Sequence, residues 1–364
     1  MLKDRKMVLM IGVVLVLFFV LFLLYFLIGR NTVLAFDEIE KRMENAAKSY
    51  VSKNPEEFDL EIDRETNLSI EQLENGYMRE MNKMVDENVS CYGEVKVRVF
   101  NGDVGYFPFL NCGDDHKTTF LSERIKQTQE ILTAGAGLYA SGDSYYFRGE
   151  EVNNHVEFSG KMWRILAINS DSSVKLIEVS PERSTQWDNK YNVERNRSDG
   201  INDYINLEKE NSSINYHING FLENDEYITP ENRVKLNYMN LCVGPRGEAD
   251  TSKNGSTECK KIAENQLIGL ISLYEYLRVS LDDDCKATPD RACINYNYLA
   301  KIPDSWWTIT PEAGATHRVY RISNGYLSPV NASNRSRPRT VITLNPNVAS
   351  RAGDGTIESP YLVN

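Results

Sequence analysis

The strongest feature of the hydrophobic pattern is an uncharged apolar run near the amino terminus, MVLMIGVVLVLFFVLFLLYFLI at residues 7–28. At about 1.5 Å per residue, a helix of this length crosses a hydrocarbon core about 30 Å thick. A cleaved signal peptide is the alternative, but its apolar stretch is usually only about 7 to 15 residues long. The pattern therefore predicts a transmembrane anchor, with the lipid bilayer as its partner.

Charge around this run predicts its orientation in the membrane. Three basic residues, Lys3, Arg5 and Lys6, precede the run, whereas mainly acidic residues follow it. Cytoplasmic flanks carry the excess of lysine and arginine, so we expect a single-pass cell-membrane protein with a cytoplasmic amino terminus. Everything after residue 30 is then extracellular.

The next part of the chain changes to helical periodicity. Apolar residues recur at helical spacing from Phe36 to Ala47, so we expect an amphipathic helix that ends before Pro55. Ser69 is then predicted to cap a second helix, with Gln72 at the capping-box position.

A hairpin is predicted after these helices. Asn101-Gly102 is the strongest two-residue hairpin signal and lies between two strand-like runs. If the residues that flank this turn pair, Cys91 and Cys112 also face each other, at a non-hydrogen-bonded position where a disulfide can form. Pro108 falls within the second strand, which predicts an edge strand.

From residue 138 onward the pattern is that of short strands. The runs SYYFRG, HVEF, KMWRILAI and SVKLIEVS predict an antiparallel meander, and SWWTIT, HRVYRIS, RTVITL and PYLV return to strands near the carboxyl end. Between them, SINYHINGFLEN predicts a helix, Ser272 with Glu275 predicts a second capping box, and Asn324-Gly325 marks another hairpin turn. The pattern predicts an α+β domain whose terminal strands join one sheet.

These patterns divide the chain into four parts. Residues 1–30 are the tail and anchor, 31–125 a small helix-plus-hairpin stalk domain, 126–137 a glycine-rich linker, and 138–364 a larger domain.

All six cysteines follow the predicted anchor. An even number of cysteines in an exported chain indicates disulfides. Sequential pairing would also join Cys242 to Cys259 and Cys285 to Cys293, and each closed loop would contribute about 3 kcal/mol. Zinc is the alternative, but the sequence has no Cys-x-x-Cys pair and its four histidines are scattered, so we expect no metal site.

The order of motifs resembles a known family. The segments VEFSGKMWRILAIN, IGLISLYEY, WWTIT, RVYRISNG, RPRTVITLNP and GDGTIESPYLV resemble the carboxyl-terminal domain of uncharacterised surface proteins from Gram-positive bacteria. That domain is similar to the formylglycine-generating-enzyme branch of the C-type-lectin-like fold, which implies an antiparallel sheet with helices and long loops. Residues 36–120 resemble the pilin-like stalk of these proteins, although the anchor has no prepilin cleavage motif.

Catalytic motifs are missing from the sequence. It contains no Gly-x-Ser-x-Gly, no phosphate-binding loop and no His-Glu-x-x-His. The resemblance transfers no catalytic residue either, so we expect a protein that is not an enzyme and has no cofactor. Asp282 to Asp284 offer carboxylates for calcium, but such a site needs about 6 to 8 oxygen ligands.

Net charge excludes one class of partner. The formal charge of −11 makes the chain acidic, and an acidic surface repels nucleic acid. We therefore expect no nucleic-acid partner.

Aromatic and basic residues near the carboxyl end are candidates for ligand recognition. Trp306 and Trp307 are neighbours on a predicted strand, so their side chains point to opposite faces. One indole would pack inward and the other would join a surface; the alternative is that both are packed, the second under the Cys242–Cys259 loop. The proposed surface comprises Trp306, Trp307, Trp187, Tyr320, Tyr326, Arg335, Arg337 and Arg339.

Two functions follow from these features. The first is a membrane-anchored extracytoplasmic protein with a non-catalytic binding domain for a glycan or protein ligand. The alternative is a structural component of a cell-envelope or pseudopilus-like assembly, in which the stalk performs the function.

Overall fold

The computed structural model describes most of the chain after the predicted anchor. Residues 16–20 and 22 are helical, and the rest of the predicted tail and anchor lies outside the described residues. Within the described part of the chain, no helix is long and apolar enough to cross a membrane. The described residues are 16–20, 22, 33–58, 63–180, 184–188, 228–285, 291–315 and 317–363.

The chain folds into two compact units, Met1–Thr118 and Thr119–Asn364. Residues 126–137, which the sequence suggests as a linker, lie within the second unit. The Leu132 amide donates to the Leu138 carbonyl at 2.7 Å, and the Tyr139 hydroxyl donates to the Gly135 carbonyl at 2.6 Å. Small residues there form ordered turns because their backbone groups are paired.

A helix packed on a sheet forms the first unit. Helix α1 (Phe36–Lys53) buries Ile39, Met43 and Ala47, which confirms the predicted amphipathic helix. The helix faces Val95, Val97 and Leu110 within one core cluster. The sheet is antiparallel in the order of its strands, β1 (Arg64–Ser69), β2 (Tyr92–Phe100) and β3 (Asp103–Asn111).

The predicted capping box opens helix α2 (Ile70–Glu74). The Ser69 hydroxyl accepts from the Gln72 amide at 3.3 Å, and the Gln72 side chain accepts from the Ser69 amide at 2.9 Å. These two bonds satisfy donors that a helix start leaves open.

The hairpin has the predicted register. Asn101 and Gly102 have φ of 51° and 82°, the left-handed values that a tight two-residue turn requires. The flanking residues pair, so Cys91 and Cys112 meet and form the predicted disulfide. Pro108 lies on β3, which is an edge strand of this sheet as predicted.

The second unit contains most of the strands. They are β4 (Gly137–Ser141), β5 (Ser144–Arg148), β6 (His155–Phe158), β7 (Lys161–Ile168), β8 (Val174–Glu178), β9 (Thr185–Gln186), β10 (Met239–Cys242), β11 (Ile262–Gln266), β12 (Ile268–Gly269), β13 (Ser305–Pro311), β14 (Arg318–Ser323), β15 (Tyr326–Asn331), β16 (Arg335–Pro338), β17 (Val341–Leu344), β18 (Ser350–Ala352) and β19 (Tyr361–Val363).

Nine of these strands form one sheet in the order β12-β17-β8-β7-β6-β19-β18, to which β4 and β5 attach through β7. The pairing of β17 with β8 and of β19 with β6 confirms that carboxyl-terminal strands join the meander. β19 is parallel to β6, whereas the sequence pattern predicts only antiparallel pairing. The mixed α+β class is thus confirmed, with sheets predominating.

A five-stranded sheet follows the order β15-β14-β13-β16-β9, and β10 pairs with β11. Asn324 and Gly325 have φ of 48° and 80° in the predicted turn between β14 and β15. The strand pair β13 and β16 is parallel, so the Trp306 backbone lies beside that of Arg337.

Three described helices accompany these sheets: α3 (Leu121–Thr128), α4 (Pro230–Arg233) and α5 (Leu273–Val279). The predicted Ser272–Glu275 capping box opens α5. The predicted helix at 213–224 lies outside the described residues. Both remaining predicted disulfides, Cys242–Cys259 and Cys285–Cys293, are present.

Candidate functional site

The two adjacent tryptophans of the predicted recognition surface are packed inside the second unit. Trp306 and Trp307 are 1 % and 0 % exposed, because both faces of β13 are covered. The centroid of the Trp306 ring lies 5.9 Å from that of Tyr276, and Trp307 Nε1 donates to the Thr185 carbonyl at 2.9 Å. The expected surface indole is therefore corrected to the alternative arrangement, in which both are packed, and the Trp307 indole is hydrogen-bonded to β9.

Two other predicted aromatic residues also belong to the core. Trp187 and Tyr320 are fully buried. Trp187 Nε1 donates to the Thr308 carbonyl at 3.1 Å, and the Tyr320 hydroxyl donates to the Arg246 carbonyl at 3.4 Å. Tyr326 is 37 % exposed on the edge strand β15. The predicted aromatic platform does not form, because side chains hydrogen-bonded in the core are closed to a ligand.

The three predicted arginines have different surroundings. Arg335 is exposed and donates to the Ser184 carbonyl. Arg337 is partly exposed and pairs with Asp304 at 3.0 Å. Arg339 is fully buried and donates to the Glu178 and Val179 carbonyls. They therefore do not make one exposed fork, because burial increases from Arg335 to Arg339 along the chain.

A cleft with a volume of about 690 Å³ lies elsewhere in the second unit. This volume is within the range of about 300 to 1,000 Å³ typical of ligand pockets. Strands β5, β8 and β10 and helix α5 contribute its walls. We call it the tyrosine cleft, after Tyr145, Tyr146, Tyr238 and Tyr274, which line it together with Lys175 and Arg278.

A stack of planar groups forms one wall of the tyrosine cleft. The guanidinium carbon of Arg278 lies 4.8 Å from the ring centroid of Tyr146 and 5.5 Å from that of Tyr274. Within the described residues, Arg278 makes no direct hydrogen bond or ion pair, so its N–H groups are open to a ligand. Arginine held against aromatic rings is well suited to planar, bidentate recognition.

A buried ion pair fixes the base of this wall. Lys175 Nζ lies 2.6 Å from Glu275 Oε1, with side chains only 11 % and 4 % exposed. Glu275 also accepts from the amide and hydroxyl of Ser272 at 3.0 and 2.9 Å. Burial acts to raise the pKa of Glu275, but the Lys175 ammonium and Arg278 outweigh it and lower that pKa. The carboxylate is therefore ionised and holds α5 in place.

Neutral polar groups line the rest of the tyrosine cleft. Asn169 Nδ2 donates to the Ser173 hydroxyl at 2.9 Å, and Asn240 Oδ1 accepts from the Asn265 amide at 3.3 Å. Burial raises the pKa of Tyr274, so its phenol stays neutral. Amides, hydroxyls and aromatic rings together suit a ligand that has both polar edges and apolar faces.

Clustered acidic, histidine and cysteine side chains would be the candidate ligands of a metal ion. Within the described ranges, no group of three or more His, Cys, Asp or Glu side chains is arranged to hold a metal ion. In the Asp282–Asp284 loop, where no calcium site is expected, Asp282 accepts from the Asp284 amide at 3.0 Å and from Asn295 at 3.1 Å. These bonds shape the turn.

Comparison with known proteins adds no relative. No family model, no curated protein and no solved structure matches the chain. The resemblance to membrane-anchored surface proteins with a lectin-like domain therefore stays a prediction.

Sequence reasoning missed the residues of the tyrosine cleft. Tyr145 and Tyr146 are visible as SYYFRG, and Tyr274 with Arg278 are four apart on a predicted helix. That i, i+4 spacing places them on one helical face and was a usable signal. Nothing local connects them to Tyr146, which is brought alongside by the fold.

Proposed function

We propose that this chain is a membrane-anchored extracytoplasmic protein whose second unit binds a glycan or protein ligand, without catalysis, in the tyrosine cleft. The observation that carries the proposal is the Tyr146–Arg278–Tyr274 stack beside a cavity of about 690 Å³. Aromatic faces pack against sugar rings or peptide groups, and the held guanidinium supplies directional donors.

Two features support the extracytoplasmic location. The apolar run at 7–28 has the length of a bilayer-spanning helix, with basic residues before it. Three disulfides use every cysteine in the chain, and disulfides persist in oxidising compartments. A C-type-lectin-like fold for the second unit belongs to the same proposal, supported by its antiparallel meander, long loops and returning terminal strands.

The proposal is tested by screening the full chain, in detergent, on arrays of glycans and of peptides. We expect a ligand whose affinity falls about ten-fold or more in Arg278→Ala, since aromatic-held arginines are frequent binding hot spots. Tyr326→Ala is the matched control, because it removes an exposed tyrosine that does not line the cleft and should bind normally. A blank screen, or equal binding by both variants, would count against the proposal.

A further inference from the structure

A second cavity in the second unit has a different chemistry. Its volume is about 280 Å³, and it shares no lining residue with the tyrosine cleft. We call it the arginine pocket, defined by Arg164, Arg337, Arg339, Lys301, Asp304 and Trp306. Four of these side chains are cationic and one is anionic, in a protein whose net charge is −11.

Two of the cations are accessible from solvent and are already paired. The side chain of Lys301 is 58 % exposed and lies 2.6 Å from Glu150, and that of Arg337 is 41 % exposed and lies 3.0 Å from Asp304. Exposed ion pairs of this kind are weak, so their cations can exchange partners with a ligand.

The buried cations lack such partners. Arg164 stacks on Tyr298, with its guanidinium carbon 4.7 Å from the ring centroid, and donates to Asn154 and to the Val152 carbonyl. Arg339 is 0 % exposed and donates only to backbone carbonyls. No carboxylate within the described residues makes an ion pair with either guanidinium.

Unpartnered donors add to this charge. Arg339 Nε and Nη1 and Trp306 Nε1 are buried and have no hydrogen-bond partner among the described residues. The guanidinium carbon of Arg339 lies 5.1 Å from the centroid of the Trp306 ring, so the open donors belong to one cluster. A buried charge without a counter-ion is costly, and native proteins rarely leave buried donors open.

The pKa values agree with this geometry. Burial lowers the pKa of Arg339 to about 9 and that of Arg164 to about 10. Glu178 acts on Arg339 through charge without forming an ion pair, and burial raises the pKa of that carboxyl group. Within the described residues, the two buried guanidinium groups therefore have no carboxylate in an ion pair with them.

We propose that the arginine pocket binds a carboxylate group carried by a small ligand or by a single terminal residue. The exposed Arg337 and Lys301 would contact the carboxylate, and the buried Arg339 would attract it through the low-dielectric interior. The volume, below that of most ligand pockets, fits one residue-sized acid. Asp304 disfavours a dianion such as phosphate, because it adds a negative charge to the lining.

This binding is tested by calorimetric titration of the full chain, in detergent, with glucuronate, N-acetylalanine and inorganic phosphate. We expect the two monocarboxylates to bind more tightly than phosphate, and the tighter of the two shows whether an acidic sugar or a terminal peptide carboxylate is preferred. Glucose, which has no carboxylate, should produce no binding heat. Stronger binding of phosphate, or no binding of either carboxylate, would overturn the proposal.

Substitutions inside and outside the arginine pocket show where the carboxylate binds. Arg337→Gln should weaken carboxylate binding about ten-fold or more, because it removes an accessible charge without emptying the core. Arg335→Gln, on the same strand but outside the arginine pocket, is the matched control and should bind within about two-fold of the unaltered chain. Equal affinity of Arg337→Gln and Arg335→Gln would refute the site. Tyr274→Ala should leave carboxylate binding unchanged, which separates this site from the tyrosine cleft.

Discussion

At the scale of single residues, the second unit buries charge in two ways. Glu275 is surrounded by the Lys175 ammonium and by two donors of Ser272, so its charge is fully compensated. Arg339 has backbone carbonyls on one nitrogen and, among the described residues, no partner on the other two. The first arrangement is suited to holding structure, and the second to receiving a ligand.

Removing one partner of the compensated pair should destabilise the second unit. Lys175→Met leaves Glu275 buried without its cation, and we expect a loss of about 3 to 5 kcal/mol in the free energy of unfolding. Lys301→Met breaks the exposed pair with Glu150 and should change the free energy of unfolding by only about 0 to 1 kcal/mol. Urea unfolding followed by tryptophan fluorescence measures this, because all four tryptophans lie buried in the second unit.

The same variant should show a defined pH dependence. The pKa of Glu275 is lowered from its ordinary 4.5, so the pair contributes its full stability above that pH and loses it as pH falls through the folded-state pKa. The difference in unfolding free energy between the unaltered chain and Lys175→Met should therefore shrink below pH 4.5. A difference that stays constant from neutral to acidic pH would contradict this role.

At the scale of elements, local signals predicted structure well, whereas most of the tertiary packing was not predicted. The hairpin register and both capping boxes follow from neighbouring residues, and all three are confirmed. Strand β1 was not predicted, because its sequence, RETNLS, is mostly polar. The strand pairs with β2 and buries only one side chain. The neighbouring positions of Trp306 and Trp307 indicated that their side chains lie on opposite faces of the strand. That both faces are covered is a result of tertiary packing, which the sequence pattern does not show.

The turn of the first hairpin depends on left-handed backbone at Gly102. Nothing lies within 4 Å of a Cβ added there, so Gly102→Ala tests conformation without a clash. We expect Gly102→Ala to lower the free energy of hairpin opening by about 1 kcal/mol. Gly102→Asn should lower it less, since asparagine tolerates left-handed backbone. Native-state hydrogen exchange of peptides covering 92–111 measures the opening. If both variants were as protected from exchange as the unaltered chain, the turn would not determine the stability of the hairpin.

At the scale of the whole molecule, the disulfides and the apolar run both support the proposed extracytoplasmic location. Every cysteine is disulfide-bonded, and each bond joins cysteines within one unit. The candidate site shows the limit of sequence reasoning at this scale. The residues of the tyrosine cleft come from segments more than 100 positions apart, such as Lys175 and Arg278, and only the folded sheet brings them together.

An extracytoplasmic second unit should present no free thiols. Intact cells that express the chain, treated with a membrane-impermeant maleimide, should label it only after reduction, because all six cysteines are disulfide-bonded and the proposed location puts them outside the cell. Labelling that requires permeabilised cells but no reductant would place reduced cysteines in the cytoplasm and contradict the proposed location.

The most direct test of the central claim is a tyrosine footprint of the full chain with and without a ligand found on the arrays. Chemical modification of tyrosines, read by mass spectrometry, should decrease at Tyr146, Tyr238 and Tyr274 when the ligand is bound. Tyr326, exposed on β15, should react equally in both states. Protection of Tyr326 with unchanged reactivity in the tyrosine cleft would contradict the account.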